Sequence, residues 1–365
     1  MTAELAIVVP TYRELGNITR LYRALSAALD GHSWELVFVD DDSDDGSAEE
    51  LAGLAQADDR VRWLRRVGRR GLSSACIEGI HATTAPFVCV MDADLQHDES
   101  VIPSMLNFLK EQGGGLAVAS RYVSAGSTGT LPPARVFISR AATFLCRAIS
   151  GVRLSDPLSG FFMIRRSLFD EAEPRLSGRG FKLLLDIVLS LPGRIASLEV
   201  PYSMRSREQG QSKLSAGVVW DLLVLLAYHA LGRLIPARFV SFAAVGLSGV
   251  FVHMSVLWLL HRQAGLVFPG AQVLATVTAM TSNFMLNDLL TYSDLRLRGV
   301  AYVRGLLSFY LACAIGALIN VAVADRMFAL SVPWWLAGLS GVLCGAVWNY
   351  AVTGAVTWRS PAGTR

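Results

Sequence analysis

The stretch FVCVMDADLQHDES, residues 87–100, runs through five apolar residues and then sets two acids one residue apart, Asp92 and Asp94. A continuous apolar run, rather than an alternating one, is the pattern of a strand buried on both faces. Two carboxylates that close together repel each other unless something positive lies between them. Hard carboxylate oxygens with an amide nearby suit Mg²⁺ or Mn²⁺, and Gln96 offers that amide. The end of this strand therefore reads as a cation site: Asp92, Asp94 and Gln96.

Two similar runs lie upstream. LAIVV (5–9) ends at Pro10-Thr11-Tyr12, and WELVFV (34–39) ends at Asp40-Asp41-Asp42. Helical patterns separate the runs at 14–29, where Asn17 is the expected cap, then at 47–56 and 73–82. Strands alternating with helices predict an α/β fold, a parallel sheet covered by helices on both sides. GLAVAS, ending at Ser120, reads as a further strand, which puts Arg121 at another strand end. In such sheets ligands bind beyond the carboxyl ends of the strands. Thr11, Tyr12, Glu14, Asp40, Asp92 and Asp94 are thus expected in one crevice, while Asp44-Asp45-Gly46 reads as a solvated turn. No GxGxxG follows the first strand and no GxxxxGK[ST] occurs, which argues against a dinucleotide oxidoreductase and a P-loop enzyme. A nucleotide-sugar diphosphate would complete the shell of a cation held by Asp92 and Asp94.

The chain has 365 residues, enough for two domains, and is 52% hydrophobic but only 17% charged. A net charge of +3 gives no basis for a nucleic-acid partner. The five cysteines are scattered without a CxxC pair and read as reduced core or membrane residues. MTAELAIVVPTYRE does not read as a signal peptide, so the expected place of the N-terminal domain is the cytoplasm.

The apolar excess lies in the C-terminal part. Four nearly charge-free segments, 239–260, 267–287, 302–323 and 334–357, are long enough to cross a bilayer, which takes ~20 residues. Trp334, Trp335 and Trp358 sit at their ends, as an interfacial belt requires. Arg233, Arg238, Arg296, Arg298, Arg304, Arg359 and Arg365 fall on one side, and only Arg262 and Arg326 on the other. The positive-inside rule then puts both termini in the cytoplasm. NFMLNDLLTY (283–292) matches NYAVTGAVTW (349–358), so the four segments read as a duplicated pair in which Asn283 and Asn349 serve as helix glue or, alternatively, face each other across the bundle. GVLCG (341–345) has the small-residue spacing of a close helix contact, as in a homo-oligomer. AGVVWDLLVLLAYHALGRLI (216–235), interrupted by Asp221 and His229, reads as an in-plane interfacial helix. The expected organisation is a catalytic domain over 1–214, an interfacial linker over 215–235 and a four-span membrane domain over 236–360.

VVPTYRE (8–14), VDDDSDDGS (39–47), MDADLQH (91–97), ASRY (119–122), DPLSGFF (156–162), GFK (180–182) and REQGQSKL (207–214) occur in the order and spacing of the polyprenol-phosphate (dolichol-phosphate) mannosyltransferases. Residues 1–214 resemble these inverting family-2 glycosyltransferases, and the four-segment region resembles the GtrA-like domain often joined to them. The resemblance implies a GT-A fold, with Pro10, Tyr12, Glu14 and Asp40 holding the nucleoside. It implies that Asp92, Asp94 and Gln96 hold Mg²⁺ or Mn²⁺ and, through it, the sugar diphosphate. Asp92, Asp94 and Arg121 would be the catalytic residues. Arg121, Arg135, Ser139, Lys182 and Arg207 would bind the lipid phosphate or the donor diphosphate, with Arg205 a rival to Arg207. Arg and a hydroxyl are what a phosphate asks for. The sequence departs from the family at Arg13, where Asn is usual, and at Asp42, where Ser or Gly is usual.

The activity implied is transfer of a hexose, mannose from GDP-mannose, to a polyprenyl monophosphate in the cytoplasmic leaflet, giving a β-linked lipid phosphosugar. UDP-glucose as donor is the alternative, and a flippase role for the lipid-linked sugar in the membrane half is another. A phosphate is already ionised near neutral pH, so no catalytic base is expected, and VSAGSTGTLPPAR (123–135) reads as a loop over the site.

Overall fold

The computed structural model describes residues 3–111, 113–124, 126–127, 140, 143–144, 146–148, 154–178, 180, 182–191, 195–205, 216–231 and 234–358. The chain divides into two compact units, residues 1–234 and 235–365.

The first unit is built on a seven-stranded sheet. Its strands are β1 (Leu5–Thr11), β2 (Trp34–Asp40), β3 (Val61–Arg65), β4 (Phe87–Val90), β5 (Leu116–Ser120), β6 (Phe162–Arg165) and β7 (Ser197–Pro201). Their order is β3-β2-β1-β4-β6-β5-β7. β1, β2, β3 and β4 are parallel, and β7 runs parallel to β5. β6 is antiparallel to both β4 and β5, so the sheet is mixed rather than purely parallel. The four residues FMIR carry no mark of direction; β6 runs the other way because the chain returns to the sheet from the end where the crevice lies. Leu5, Ile7 and Val9 enter one buried cluster and Val8, Val37 and Val39 another, which is why these runs are apolar without alternation.

The described helices of the unit include α1 (Ile18–Ala28), α2 (Ser47–Ala57), α3 (Leu72–His81), α4 (Ile102–Glu111), α5 (Arg166–Ala172), α6 (Leu183–Ser190) and α7 (Ala216–Ala230). Asn17 does not cap α1: its own backbone is helical, and its amide donates to Glu14 Oε2 at 2.8 Å. The cap comes from α2, where Glu50 accepts from Gly16 N at 3.1 Å and Thr19 N at 3.0 Å. α7 packs Leu222, Leu225 and Leu226 against Leu158 and Leu185, and His229 Nε2 meets Asp186 Oδ1 at 2.9 Å. Its other face leaves Val219 and Leu223 exposed. The segment expected as an interfacial helix therefore has one face fastened to the first unit and one apolar face open.

The second unit contains α8 (Ala237–Leu257), α9 (Phe268–Leu286), α10 (Val300–Ala329) and α11 (Trp334–Val352). Residues 237–263 and 300–327 are long and apolar enough to cross a membrane. The duplication is visible in matched contacts. Ser241 and Thr291 hydroxyls lie 2.8 Å apart, and so do those of Ser308 and Thr357. Asn287 donates to the carbonyl of Asn283, and Thr353 to that of Asn349. The matched residues Tyr292 and Trp358 stack on each other at 4.2 Å. Asn283 is seated against Gly249 and Asn349 against Gly316, each where a Cβ would collide. The two asparagines make no mutual hydrogen bond among the described residues; a glycine in the paired helix gives each amide its room.

Candidate active site

β4 stops at Val90, level with Val8 of β1, and the chain then turns through residues 92–97 at the edge where β1 and β2 also end. Leu95 takes a left-handed conformation (φ 60°), which folds the turn back. Asp94 Oδ1 accepts the backbone N–H of Gln96 at 3.2 Å. Gln96 donates its side-chain amide to Arg205 O at 3.1 Å, and Arg205 N donates to Gln96 O at 2.9 Å. That geometry makes Gln96 Oε1 the acceptor end of the amide. Asp94 is 9% exposed, whereas the Asp92 side chain is 37% exposed. Behind Asp92, a Cβ on Gly160 would lie 3.0 Å from Oδ2, so the glycine of DPLSGFF lets the carboxylate sit against backbone.

Two carboxylates and an amide oxygen on one short turn fit a hard cation that draws its remaining ligands from a substrate diphosphate. No group of three or more His, Cys, Asp or Glu side chains able to hold a metal occurs among the described residues. Asp92, Asp94 and Gln96 would be the protein's share of such a shell, as for an ion held by one or two carboxylates plus phosphates.

Positive charge lies close by. Arg121, directly after β5, makes a bidentate pair with Asp156 at 2.7 and 2.9 Å, and Asp156 is fully buried. Burial by itself would lower the Arg121 pKa, but the hydrogen bonds and charge of Asp156 outweigh it and hold the guanidinium above its ordinary value. Lys182 donates to Leu158 O at 3.1 Å. Burial, then the charge of Arg121, pushes its ammonium below the usual lysine range, while Asp92 and Asp156 oppose that shift. Asp92, Arg121, Asp156 and Lys182 are thus electrostatic neighbours.

The β1–β2 end holds the other expected residues. Tyr12 lies under the guanidinium of Arg70, 4.2 Å from the ring centroid. Asp40 is fully buried, and it accepts from Thr11 Oγ1, Ser43 N and Ser43 Oγ. It shapes the strand end from beneath rather than lining the crevice. Asp41 accepts from Arg66 at 2.6 Å and from Gly71 N at 2.7 Å, and burial raises its pKa. Arg13 and Asp42 have φ of 58° and 59°, so both departures from the family pattern fall on left-handed positions, where Asn and Gly are at home. Asp44 pairs with Arg13 and Asp45 accepts from Leu15 N and Ser47, so this turn is bonded rather than merely solvated.

A cavity of about 810 Å³ opens beside Arg121, lined also by Tyr122, Arg140, Thr143, Phe144 and Arg147. Phe144 is 74% exposed. Arg140, Arg147, His97, Asp156 and Tyr202 join the site residues expected from the sequence. His97 and Asp156 lay inside motifs already noted, and a buried arginine after a strand asks for an acid partner. Tyr202 carried no local signal. Arg135, Ser139, Arg207 and most of the 123–135 loop lie outside the described residues.

The family model "Glycosyl transferase family 2" matches residues 6–172, and "GtrA/DPMS, transmembrane domain" matches residues 241–358. A dolichol-phosphate mannosyltransferase of Pyrococcus furiosus is 34% identical over 365 residues, covering 98% of this chain and all of the relative. One from Saccharomyces cerevisiae is 35% identical over 233 residues, covering 61% of this chain and 85% of the relative. The crystal structure of glucosyl-3-phosphoglycerate synthase from Mycobacterium tuberculosis with Mn²⁺, UDP and phosphoglyceric acid matches with a TM-score of 0.50 and 18% identity. It covers 62% of this chain and 78% of that one, and speaks for the fold alone.

Proposed function

The chain belongs to the dolichol-phosphate mannosyltransferase family of glycosyltransferases, and on that premise we propose that it moves mannose from GDP-mannose to a polyprenyl monophosphate at the cytoplasmic membrane face. It is a membrane protein, with a GtrA/DPMS transmembrane domain and two apolar helices long enough to span. The observation that carries the proposal is the juxtaposition of the acid turn, 92–96, with Arg121 and Lys182. That arrangement suits a donor diphosphate on one side and a phosphate acceptor on the other. The cavity beside Arg121, with Arg140, Arg147 and an exposed Phe144, suits an acceptor that joins a phosphate to an apolar chain.

In the reaction proposed, an acceptor phosphate oxygen attacks C1 of the sugar. The bond from C1 to the donor diphosphate breaks, and the nucleoside diphosphate leaves with its electron pair. The acceptor is ionised at neutral pH and needs no base. Direct displacement inverts the anomeric centre to β. Asp92, Asp94 and Gln96 would hold a Mg²⁺ or Mn²⁺ ion, which supplies charge neutralisation for the departing diphosphate. Arg121, kept charged and fixed in plane by Asp156, and Lys182 orient phosphate oxygens beside the acids. Pro10, Tyr12 and Glu14 would face the nucleoside, with Asp40 stiffening their turn. Arg135, Ser139 and Arg207 belong to the same proposal through the family pattern. We assign residues 1–214 to catalysis, 215–235 to the membrane surface and 236–360 to anchoring.

The test is transfer by membranes holding the full chain, supplied with polyprenyl phosphate and Mn²⁺ or Mg²⁺, with labelled GDP-mannose and UDP-glucose offered in parallel. Label should pass to the lipid phase from GDP-mannose, with a loss on the order of 10²-fold or more in Asp94→Ala. Label from UDP-glucose alone would replace the sugar assigned here, and no lipid product from either donor would sink the lipid-phosphate reading.

A further inference from the structure

Asp92 has a partner that this reaction does not use. His97 Nε2 lies 3.3 Å from Asp92 Oδ2, and His97 Nδ1 lies 3.2 Å from the phenol oxygen of Tyr202. The imidazole is 5% exposed and is packed between Phe161 and Tyr202, at ring-centroid distances of 5.0 and 5.7 Å. A buried ring so enclosed cannot reach a substrate, and an apolar side chain would fill the space without bringing two polar atoms to be satisfied.

The hydrogen bonds have one consistent direction. A carboxylate only accepts, so Nε2 carries the proton that faces Asp92. In that Nε2–H tautomer Nδ1 is an acceptor, and Tyr202 O–H donates to it. Burial of Tyr202 pushes its phenol higher and keeps it a donor. Tyr202 follows directly on β7, and three residues later Arg205 exchanges two hydrogen bonds with Gln96. The segment after β7 therefore grips the acid turn at Gln96 and at His97, and through His97 reaches Asp92.

We propose that His97 and Tyr202 are a positioning pair for cation binding: Tyr202 fixes the tautomer and plane of His97, and His97 fixes the carboxylate of Asp92. This rests on the cation role proposed for Asp92 and Asp94. Partners of this kind orient ligating groups, and their loss typically weakens metal binding about 10–100-fold.

The experiment is Mn²⁺ binding to the detergent-solubilised full chain at saturating GDP, followed by loss of the free-ion electron paramagnetic resonance signal. GDP affinity without metal and the metal-free unfolding midpoint are measured alongside. His97→Asn, whose amide stops short of Asp92, should weaken Mn²⁺ binding about 10–100-fold. His97→Gln, whose Nε2 reaches where the imidazole Nε2 lay, should restore most of it, and Tyr202→Phe should show a smaller loss. Metal-free GDP affinity should stay put throughout. The pair is refuted if Asn and Gln behave alike, or if Mn²⁺ affinity holds while only the unfolding midpoint falls. A parent chain that takes up no Mn²⁺ overturns the cation reading itself, and this proposal with it.

Discussion

Arg121 is held in place by Asp156. The guanidinium is mostly out of water, Asp156 is wholly so, and their two short hydrogen bonds set the plane of the guanidinium. Removing one partner of such a pair leaves an uncompensated buried charge, at a cost of about 3–5 kcal/mol. Asp156→Ala should therefore lower the unfolding free energy of the first unit by that order, read by denaturant titration. It should also cut transfer more than it weakens nucleotide binding, since Arg121 loses orientation rather than charge. Arg13 and Asp42 make a contrasting point at the same scale. The side chains differ from the family pattern, and the backbone at both positions is left-handed, where Asn or Gly is at ease. At Arg13 an ion pair with Asp44 accompanies the change, on an exposed surface where such pairs contribute little.

At the scale of elements, the start of α1 is fixed by a residue far away in sequence rather than by its own cap position. Asn17 offered the right chemistry but adopted helical backbone angles, so its side chain was not placed to accept from the first turn. Glu50, 31 residues away in sequence from Thr19, reaches across from α2 and accepts instead from the amide of Thr19 in the first turn of α1 and from that of Gly16 just before it. Glu50→Ala should remove that cap, costing about 1 kcal/mol, and lower the unfolding midpoint by about 2–4 °C. Glu50→Gln, which keeps an acceptor, should recover part of the loss. α7 shows the reverse case. Its mixture of Leu, Asp and His was legible as a helix with two characters, and the structure assigns the polar contact, His229 with Asp186, to the packed face.

For the whole molecule, the charge bias of the loops and the matched contacts of the second unit belong together. Two copies of a helix pair, each with a Ser–Thr bond and an Asn seated on a Gly, suit two successive hairpins across a bilayer. With Arg296, Arg298 and Arg304 grouped between the pairs, that connection should face the cytoplasm. In a chain with Cys344 replaced by Ser, a membrane-impermeant thiol reagent applied to intact cells should label Ala264→Cys and spare Arg298→Cys. Labelling of Arg298→Cys alone would invert the orientation and remove the cytoplasmic catalytic face proposed here.

Patterns carried by neighbouring residues determined much of this protein from the sequence alone: buried strands, the acid turn at 92–96, the apolar segments and their repeat. Burial and charge density act over a few residues, so they leave a local trace. Strand direction at β6, the cap of α1, the burial of Asp40, the hold of Asp156 on Arg121 and the approach of Tyr202 to His97 were decided only by tertiary structure. Each joins residues distant in sequence, and a hydrogen bond of that kind depends on where the fold brings the second partner, which neither residue's neighbours record.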